Sequence, residues 1–510
     1  MSAESSYHLP LYEGTPPILG GESYKWVIYY SATNVFSPHL IQRTDFLCKF
    51  ASAGPYAPQM YLTNSDDTMK QLLLLLLMPI VASSGLYAAD DTKEIFCDDF
   101  NEISFTKQHW TIDKHMLTSS VKFVKEGVDG SRCVKISNSE KGVVKITKHL
   151  TGLDPNTFYR VSAKIKTEDV AEGRGAILYL DVFGHHSAQP WNASRFVYGT
   201  TDWQEVYMDF VSDKHGETYV SCSLGFPGGT YNGGKAMGTV WYDDVKITET
   251  PKEALYMRES KHMVLAINPQ HVCVDDHTID AWLQALDKTY EAYEELLGVV
   301  PYGGDKIRIL STPGMEAGYW ALAGDPILWN DNADIKGLQT NFKTHNDWGF
   351  GILHEIGHVF SAGTAVGDGY GSWNWNDEIF ANFRMSYALD KYEATMAQQT
   401  FYKGDNIAYY KQAYKKCVAK GNLDSGDAIH YTLMRIAEIY GWDVYKKAFH
   451  KLYQTPDSEL GRFSNNYEKF LCLMKYLSEA ATEIVGYEVD VTRNCYTPVE
   501  LEMIKKALTK

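Results

Sequence analysis

Between Asp347 and Arg384 the chain reads DWGFGILHEIGHVFSAGTAVGDGYGSWNWNDEIFANFR, and this stretch sets the narrowest limits on how the rest can fold. It holds His354-Glu355-Ile356-Gly357-His358, the H-E-x-x-H spacing. On a helix, residues four apart share one face about 6 Å apart along the axis. Two imidazoles so placed can grip one metal ion, and Glu355 beside the first can reach a water on that metal. The flanking Phe350, Ile352, Leu353, Ile356, Val359 and Phe360 recur at helical spacing, so the motif belongs on a buried helix. Catalytic zinc takes three protein ligands and leaves a fourth position for water. Past His358, beyond Gly367, Gly369 and Gly371, the run Asn374–Asn382 reads as the start of a second helix with Asn376 or Asp377 near its N-cap and with Glu378 twenty residues after His358. Glu378, in its first turns, is the expected third ligand. The fold must therefore bring two helices face to face at this point. With 16 His in the chain, a purely structural His/Glu cluster is the competing reading.

At 510 residues the chain has room for two to four domains. Its 45% apolar and 22% charged content is ordinary for a globular protein. A formal charge of −16 argues against nucleic acid or an anionic membrane as partner, because both call for basic patches. The eight cysteines are scattered with no C-x-x-C, which indicates neither a zinc ribbon nor a disulfide-dense scaffold.

Residues 1–68 show no period, repeat or charge run. From Met69, a short basic start, an apolar core from Leu72 to Ala82 and small residues up to Ala88-Ala89 have the form of a secretory signal peptide. The apolar core is too short to span a bilayer, so no integral membrane segment is expected in the mature chain. The expectation is a protein that is secreted, periplasmic or held at the cell surface through residues 69–89. Residues 1–68 then come from a mis-set upstream start; the alternative is an authentic N-terminal segment followed by a buried apolar helix.

From 90 to 250 the hydrophobic period is two. Tyr159, Val161, Ala163 and Ile165 alternate with polar neighbours, and similar runs follow at 176–183, 204–211, 218–226 and 239–247. Gly-Gly turns separate some of them, and no helix is expected to interrupt. These are the marks of a β-sandwich. Cys97-Asp98-Asp99-Phe100, Gly152–Val161, Thr201–Val206 and Val240–Val245 resemble jelly-roll carbohydrate-binding modules attached to bacterial glycan-active enzymes. The resemblance implies a domain that holds glycans, with Trp191 and Trp203, beside Phe196 and Tyr198, as a stacking platform; core or loop packing is the plain alternative for each. It also implies a structural Ca2+ at Asp98, Asp99, Asp243 and Asp244, set against the reading of these as solvated strand ends.

The polar stretch Thr248–Glu253 reads as a hinge, and 251–258 as a linker to a second domain over 259–510. There, 263–267 and 306–310 read as strands, and 279–297, 431–440, 443–453 and 467–485 as helices. The expected architecture is multidomain: a jelly-roll β-sandwich, then an α+β zincin-type metallopeptidase domain with a mainly helical C-terminal lobe. The motif H-E-x-x-H-x(19)-E resembles the gluzincin peptidases. Gly324-Asp325-Pro326-Ile327, Glu378–Asn382 and Gly441–Tyr445 are similar to the enhancin-like peptidases, which include mucin-degrading enzymes. That resemblance implies cleavage of O-glycosylated, mucin-like glycoproteins; the spacing alone implies only a metallopeptidase.

The expected chemistry assigns Zn2+ to His354, His358 and Glu378, and the role of general base to Glu355. Tyr431 and His430 are candidates for a second oxyanion donor, beside the reading that both simply pack. Asp377 and Asn382 are candidates for holding the ligands from behind. Tyr370, Trp373 and Trp375 are expected along a cleft rim, where they would meet substrate. Two rivals stay open: a general zinc peptidase without glycan dependence, and a glycan-binding adhesin that has lost catalysis.

Overall fold

The alternating runs fold as two antiparallel sheets packed face to face. The computed structural model describes residues 93–114, 118–181, 188–212, 215–226, 234–316, 319–362, 372–394, 396 and 406–509. Residues 1–89, with their expected signal peptide, lie outside the described residues. The strands are β1 (Glu94–Asp98), β2 (Trp110–Lys114), β3 (Ser119–Val124), β4 (Cys133–Gly142), β5 (Val144–Thr151), β6 (Phe158–Ala171), β7 (Ala176–Asp181), β8 (Ala188–Ala193), β9 (Gly199–Val211), β10 (Glu217–Leu224) and β11 (Ala236–Glu249). One sheet has the order β3-β4-β11-β6-β9 with β1 also on β11; the other has the order β2-β5-β10-β7-β8. Along β6, Tyr159, Val161, Ala163 and Ile165 are buried and the residues between them are not, as period two requires. They meet Leu178, Leu180, Cys222 and Leu224 of the opposite sheet in a continuous core.

One helix does interrupt, contrary to expectation: α1 (Ile103–His109). Two turns are too short to register in a helical-period window. The segment is pinned instead by buried Thr106, whose hydroxyl donates to Asp98.

A third sheet follows, in the order β12-β13-β14-β16-β15. Its strands are β12 (Tyr256–Glu259), β13 (Met263–Ile267), β14 (Ile307–Thr312), β15 (Ala321–Leu322) and β16 (Ile327–Asn330). β13, β14 and β16 run parallel, and the edge strands β12 and β15 are antiparallel to their neighbours. Both faces of this sheet are covered. Met263, Leu265, Ile267, Ile307, Ile309, Ile327 and Trp329 join the helical core, while Ala266, Leu310 and Leu328 pack with Leu255 and Met315 against Phe158 and Val211 of the sandwich.

The expected hinge is consequently a packed seam. The Thr250 amide donates to the Phe158 carbonyl at 2.9 Å and its hydroxyl to Asp209 at 3.1 Å. β12 begins inside the expected linker, and the described residues from Lys93 onward belong to one compact unit.

The helices are α2 (Asp276–Leu297), α3 (Ile335–His345), α4 (Phe350–Ala362), α5 (Asp377–Lys391), α6 (Asn406–Ala419), α7 (Gly426–Tyr440), α8 (Trp442–Gln454), α9 (Asp457–Leu460), α10 (Asn466–Val485), α11 (Val491–Cys495) and α12 (Pro498–Leu508). Among the described residues, no helix is long and apolar enough to cross a membrane. The seven described cysteines are free thiols.

Leu310 is fully buried on the sandwich side of the third sheet. Leu310→Ala should cost about 2–5 kcal/mol, read as a lower midpoint in urea unfolding. Unfolding of the sandwich and the helical lobe in one shared transition is the expected form of that curve.

Candidate metal centre

α4 carries the H-E-x-x-H motif with Ile352, Leu353, Ile356, Val359 and Phe360 fully buried along one side. That burial fixes the rotation of the helix, and the α2 residue Tyr293 ties it down by donating from its hydroxyl to the Leu353 carbonyl at 2.9 Å. α5 starts where the sequence signals it: the Asn376 side chain accepts from the amides of Glu378 at 3.0 Å and Ile379 at 3.4 Å. The two helices meet at Gly357. A Cβ there would lie 2.9 Å from both the Cα and the carbonyl oxygen of Ala381, so only glycine permits this approach. The buried Arg384 guanidinium closes the contact, donating to the Gly357 carbonyl at 2.8 Å and to the Tyr453 hydroxyl at 3.0 Å.

Glu378 is thereby delivered to the histidines. His354 Nε2 and His358 Nε2 are 3.0 Å apart, and they lie 3.1 and 3.5 Å from the two Glu378 carboxylate oxygens. Four-coordinate zinc with bonds of 2.0–2.1 Å has ligand-to-ligand edges of about 3.4 Å, and this triangle fits it. The outer nitrogens are already engaged: His354 Nδ1 is 2.8 Å from the Asn382 side-chain oxygen, and His358 Nδ1 is 2.5 Å from the Asp377 carboxylate. With Nδ1–H donating outward, each Nε2 lone pair is turned into the site. The Glu378 side chain is 66% exposed, so the group is open to solvent on that side. Among the described residues this is the one group of three metal-ligating side chains whose ligand atoms converge.

The local field favours a cation. Burial opposes ionisation of Asp377, but Arg384, His358 and Ser361 outweigh it and hold the carboxyl near about 2. Burial likewise disfavours the charged form of His358, yet its bonds to Asp377 and Glu378 raise it to about 10. Hydrogen bonds from both histidines lower Glu378. Glu355 moves the other way: burial raises it, and the nearby Glu378 charge adds to that against the opposing histidines.

The sequence expectations divide at this point. His354, Glu355, His358, Asp377, Glu378 and Asn382 are gathered at one place. Tyr370 lies outside the described residues. Trp373 and Trp375 do not line a cleft rim: they are 1% and 8% exposed, packed edge-on against Phe380, with Trp373 also on Phe449 and Trp375 on Phe470. A large apolar ring beside a ligand helix gains more from that core than from water.

His430 is buried between Tyr410 and Phe383 and is bonded to Ser386 at 3.0 Å; burial pushes it down to about 3. Tyr431 packs on Tyr414 and the Arg435 guanidinium. Neither is hydrogen-bonded to His354, His358 or Glu378. Sequence reasoning missed Arg384, Ser361 and Asn374, all of which bond to Asp377. Arg384, two helical turns beyond Asp377 on the same face, was the available signal.

In the sandwich, Trp191 sits on β8 and Trp203 on β9, strands of different sheets, and Phe196 is covered by the Arg174 guanidinium at 4.3 Å. The four aspartates are not gathered into one ligand set. Asp98 accepts from Phe100, Thr106 and Trp110, Asp99 from Asn101, and Asp243 from Val128, Ser131 and Asp244.

No protein-family profile matches the chain, and no curated protein matches it. Solved structures similar to parts of it include the CBM22-1 xylan-binding domain of Paenibacillus barcinonensis Xyn10C, at 15% identity over 32% of this chain and 97% of that one, with a TM-score of 0.22. TmCBM61 in complex with β-1,4-galactotriose is similar at 16% identity over 28% and 88%, with a TM-score of 0.21. The enzymatically active domain of bacteriophage CBA120 tailspike protein 4 is similar at 11% identity over 29% of this chain and only 20% of that one, with a TM-score of 0.22.

Asp377→Asn and Asn382→Ala should each weaken zinc binding by about 10–100-fold, measured by competition with a chromogenic chelator. Affinity unchanged in both would mean that the Nδ1 contacts do not orient the ligands.

Proposed function

We propose that this chain is an exported zinc-dependent endopeptidase acting on glycosylated, mucin-like proteins. One observation carries the peptidase reading: two inward-facing Nε2 atoms and a carboxylate form a zinc-sized triangle with Glu355 between the histidines. His354, His358 and Glu378 would hold the ion. Zinc bound there supplies a water of lowered pKa and a positive charge that polarises a carbonyl.

The rest falls to the chain. Glu355, its proton affinity raised by burial, takes the proton from the attacking water and returns it to the leaving amine. Asp377 and Asn382 keep the imidazoles oriented throughout. β15 is the terminal strand of the third sheet; it packs against α4, and the Ala323 amide just beyond it lies near enough to the Glu355 carboxyl to favour its charged form slightly. An extended substrate pairing with that edge would run past the base, which supports peptide as substrate.

Export rests on the signal-like residues 69–89, and the glycan part on the sequence resemblance of the sandwich. One observation favours the rival without glycan dependence: Phe196, expected in a sugar platform, is committed to Arg174.

The protein should be incubated with an O-glycosylated mucin and with the same mucin deglycosylated. Cleavage of the glycosylated form alone is the expected result, with Glu355→Ala lowering the rate by at least about a hundredfold and a chelator abolishing it. Equal cleavage of both forms would leave a general zinc peptidase. No cleavage of either, with zinc bound at one ion per chain, would favour the adhesin.

A further inference from the structure

One route by which the sandwich reaches the β15 edge of the third sheet is a buried cation, Arg174. Arg174 lies in the turn between β6 and β7 and is fully buried, with its guanidinium 4.3 Å from the Phe196 ring centre and 5.0 Å from that of Phe226. Its glycine neighbours hold it there. Gly173 and Gly175 both have positive φ, and a Cβ on either would strike a backbone oxygen, that of Lys235 at 2.3 Å or Val197 at 2.6 Å. The turn is thus locked from both sides.

Across the seam, Arg174 donates to the Gly314 carbonyl and lies 3.8 Å from the Glu316 carboxylate, itself 5% exposed. Gly314 is pressed against Ala193 of β8, where any Cβ would come within 2.1 Å of the carbonyl oxygen. A buried cation of this kind is costly unless its partners are fixed, so the contact holds the Gly314–Glu316 turn as firmly as the turn holds Arg174.

Asn330 ties that turn to the proposed substrate edge. The Asn330 side chain donates to the carbonyls of Glu316 at 3.1 Å and Tyr319 at 2.8 Å, and its amide donates to the Trp320 carbonyl at 3.1 Å. Trp320 lies over Gly351 of α4, with ring atoms 2.3–2.6 Å from where a Cβ would stand. β15 follows at Ala321 and packs against α4, the helix that carries Glu355.

We propose that Arg174 is a positioning residue, by which the sandwich sets the place of β15 beside Glu355. The sandwich is then a working part of the substrate edge and not a detachable module. The kinetic half of this rests on the proposed peptidase function; the structural half does not.

The full chain should be compared with Arg174→Ala, Arg174→Lys and Glu316→Gln by amide hydrogen exchange, zinc content and steady-state kinetics. In Arg174→Ala, exchange over Trp320–Ala323 should quicken by about tenfold or more, while α4 and the sandwich strands keep their protection and zinc stays at one ion per chain. On a substrate that the unaltered protein cleaves, KM should rise by a larger factor than kcat falls, and lysine should restore part of the loss. Glu316→Gln should give the same pattern more weakly, and it stands in if Arg174→Ala does not fold. Unchanged exchange over Trp320–Ala323, or an equal rise along the whole chain, would overturn the proposal. If the unaltered protein cleaves nothing, the peptidase function fails while the exchange result still decides the role of Arg174.

Discussion

The approach of α4 to α5 at Gly357 is the contact on which the site depends. Three ligand atoms from two helices converge only because nothing larger than a hydrogen separates Gly357 from Ala381. Arg384 converts that approach into a fixed distance, since its guanidinium spans the Gly357 carbonyl on one helix and Asp377 on the other. Asp377 in turn holds His358. One buried cation therefore sets both the spacing of the helices and the orientation of a ligand.

The third sheet imposes a second constraint, at a larger scale. Every residue of β13 and β14 is buried, which a sheet with one wet face does not show. The helical lobe covers one face and the sandwich the other. Even Arg308, on the sandwich side, is matched across the seam, with Asn156 on one part and Asp325 on the other. Removing the sandwich would leave apolar surface and a charged side chain without their partners, which is a reason for the two parts to act as one body.

Much of this was legible in the sequence wherever a short-range rule applied. Period-two alternation marked β6, β10 and β11, helical periodicity marked α2, α7, α8 and α10, and the spacing of His354, His358 and Glu378 marked the metal group. What failed was long-range. Trp373 and Trp375 carry no local sign that Phe380, Phe449 and Phe470 will enclose them. The polar run at 248–253 has the composition of a hinge, but its backbone is taken up by Phe158, ninety residues earlier in the chain. The all-apolar run Met263–Ile267 did hold a clue to the seam, because a strand without polar alternation needs cover on both faces.

The electrostatics of the site connect its stability to its chemistry. Asp377, Glu378 and Glu355 crowd two imidazoles, and the Arg384 guanidinium is engaged with Asp377. Glu378 is paired with both histidines, and burial leaves Glu355 as the carboxyl whose charged form is disfavoured. A divalent ion bound at the Nε2–Nε2–carboxylate triangle would favour the charged form of Glu355 in the folded chain only, so its binding free energy would add to the stability of the fold. On this view the excess negative charge is not a cost tolerated for catalysis alone. It would favour the cation that the proposed chemistry needs, while burial, with a smaller contribution from Glu378, raises the proton affinity of Glu355.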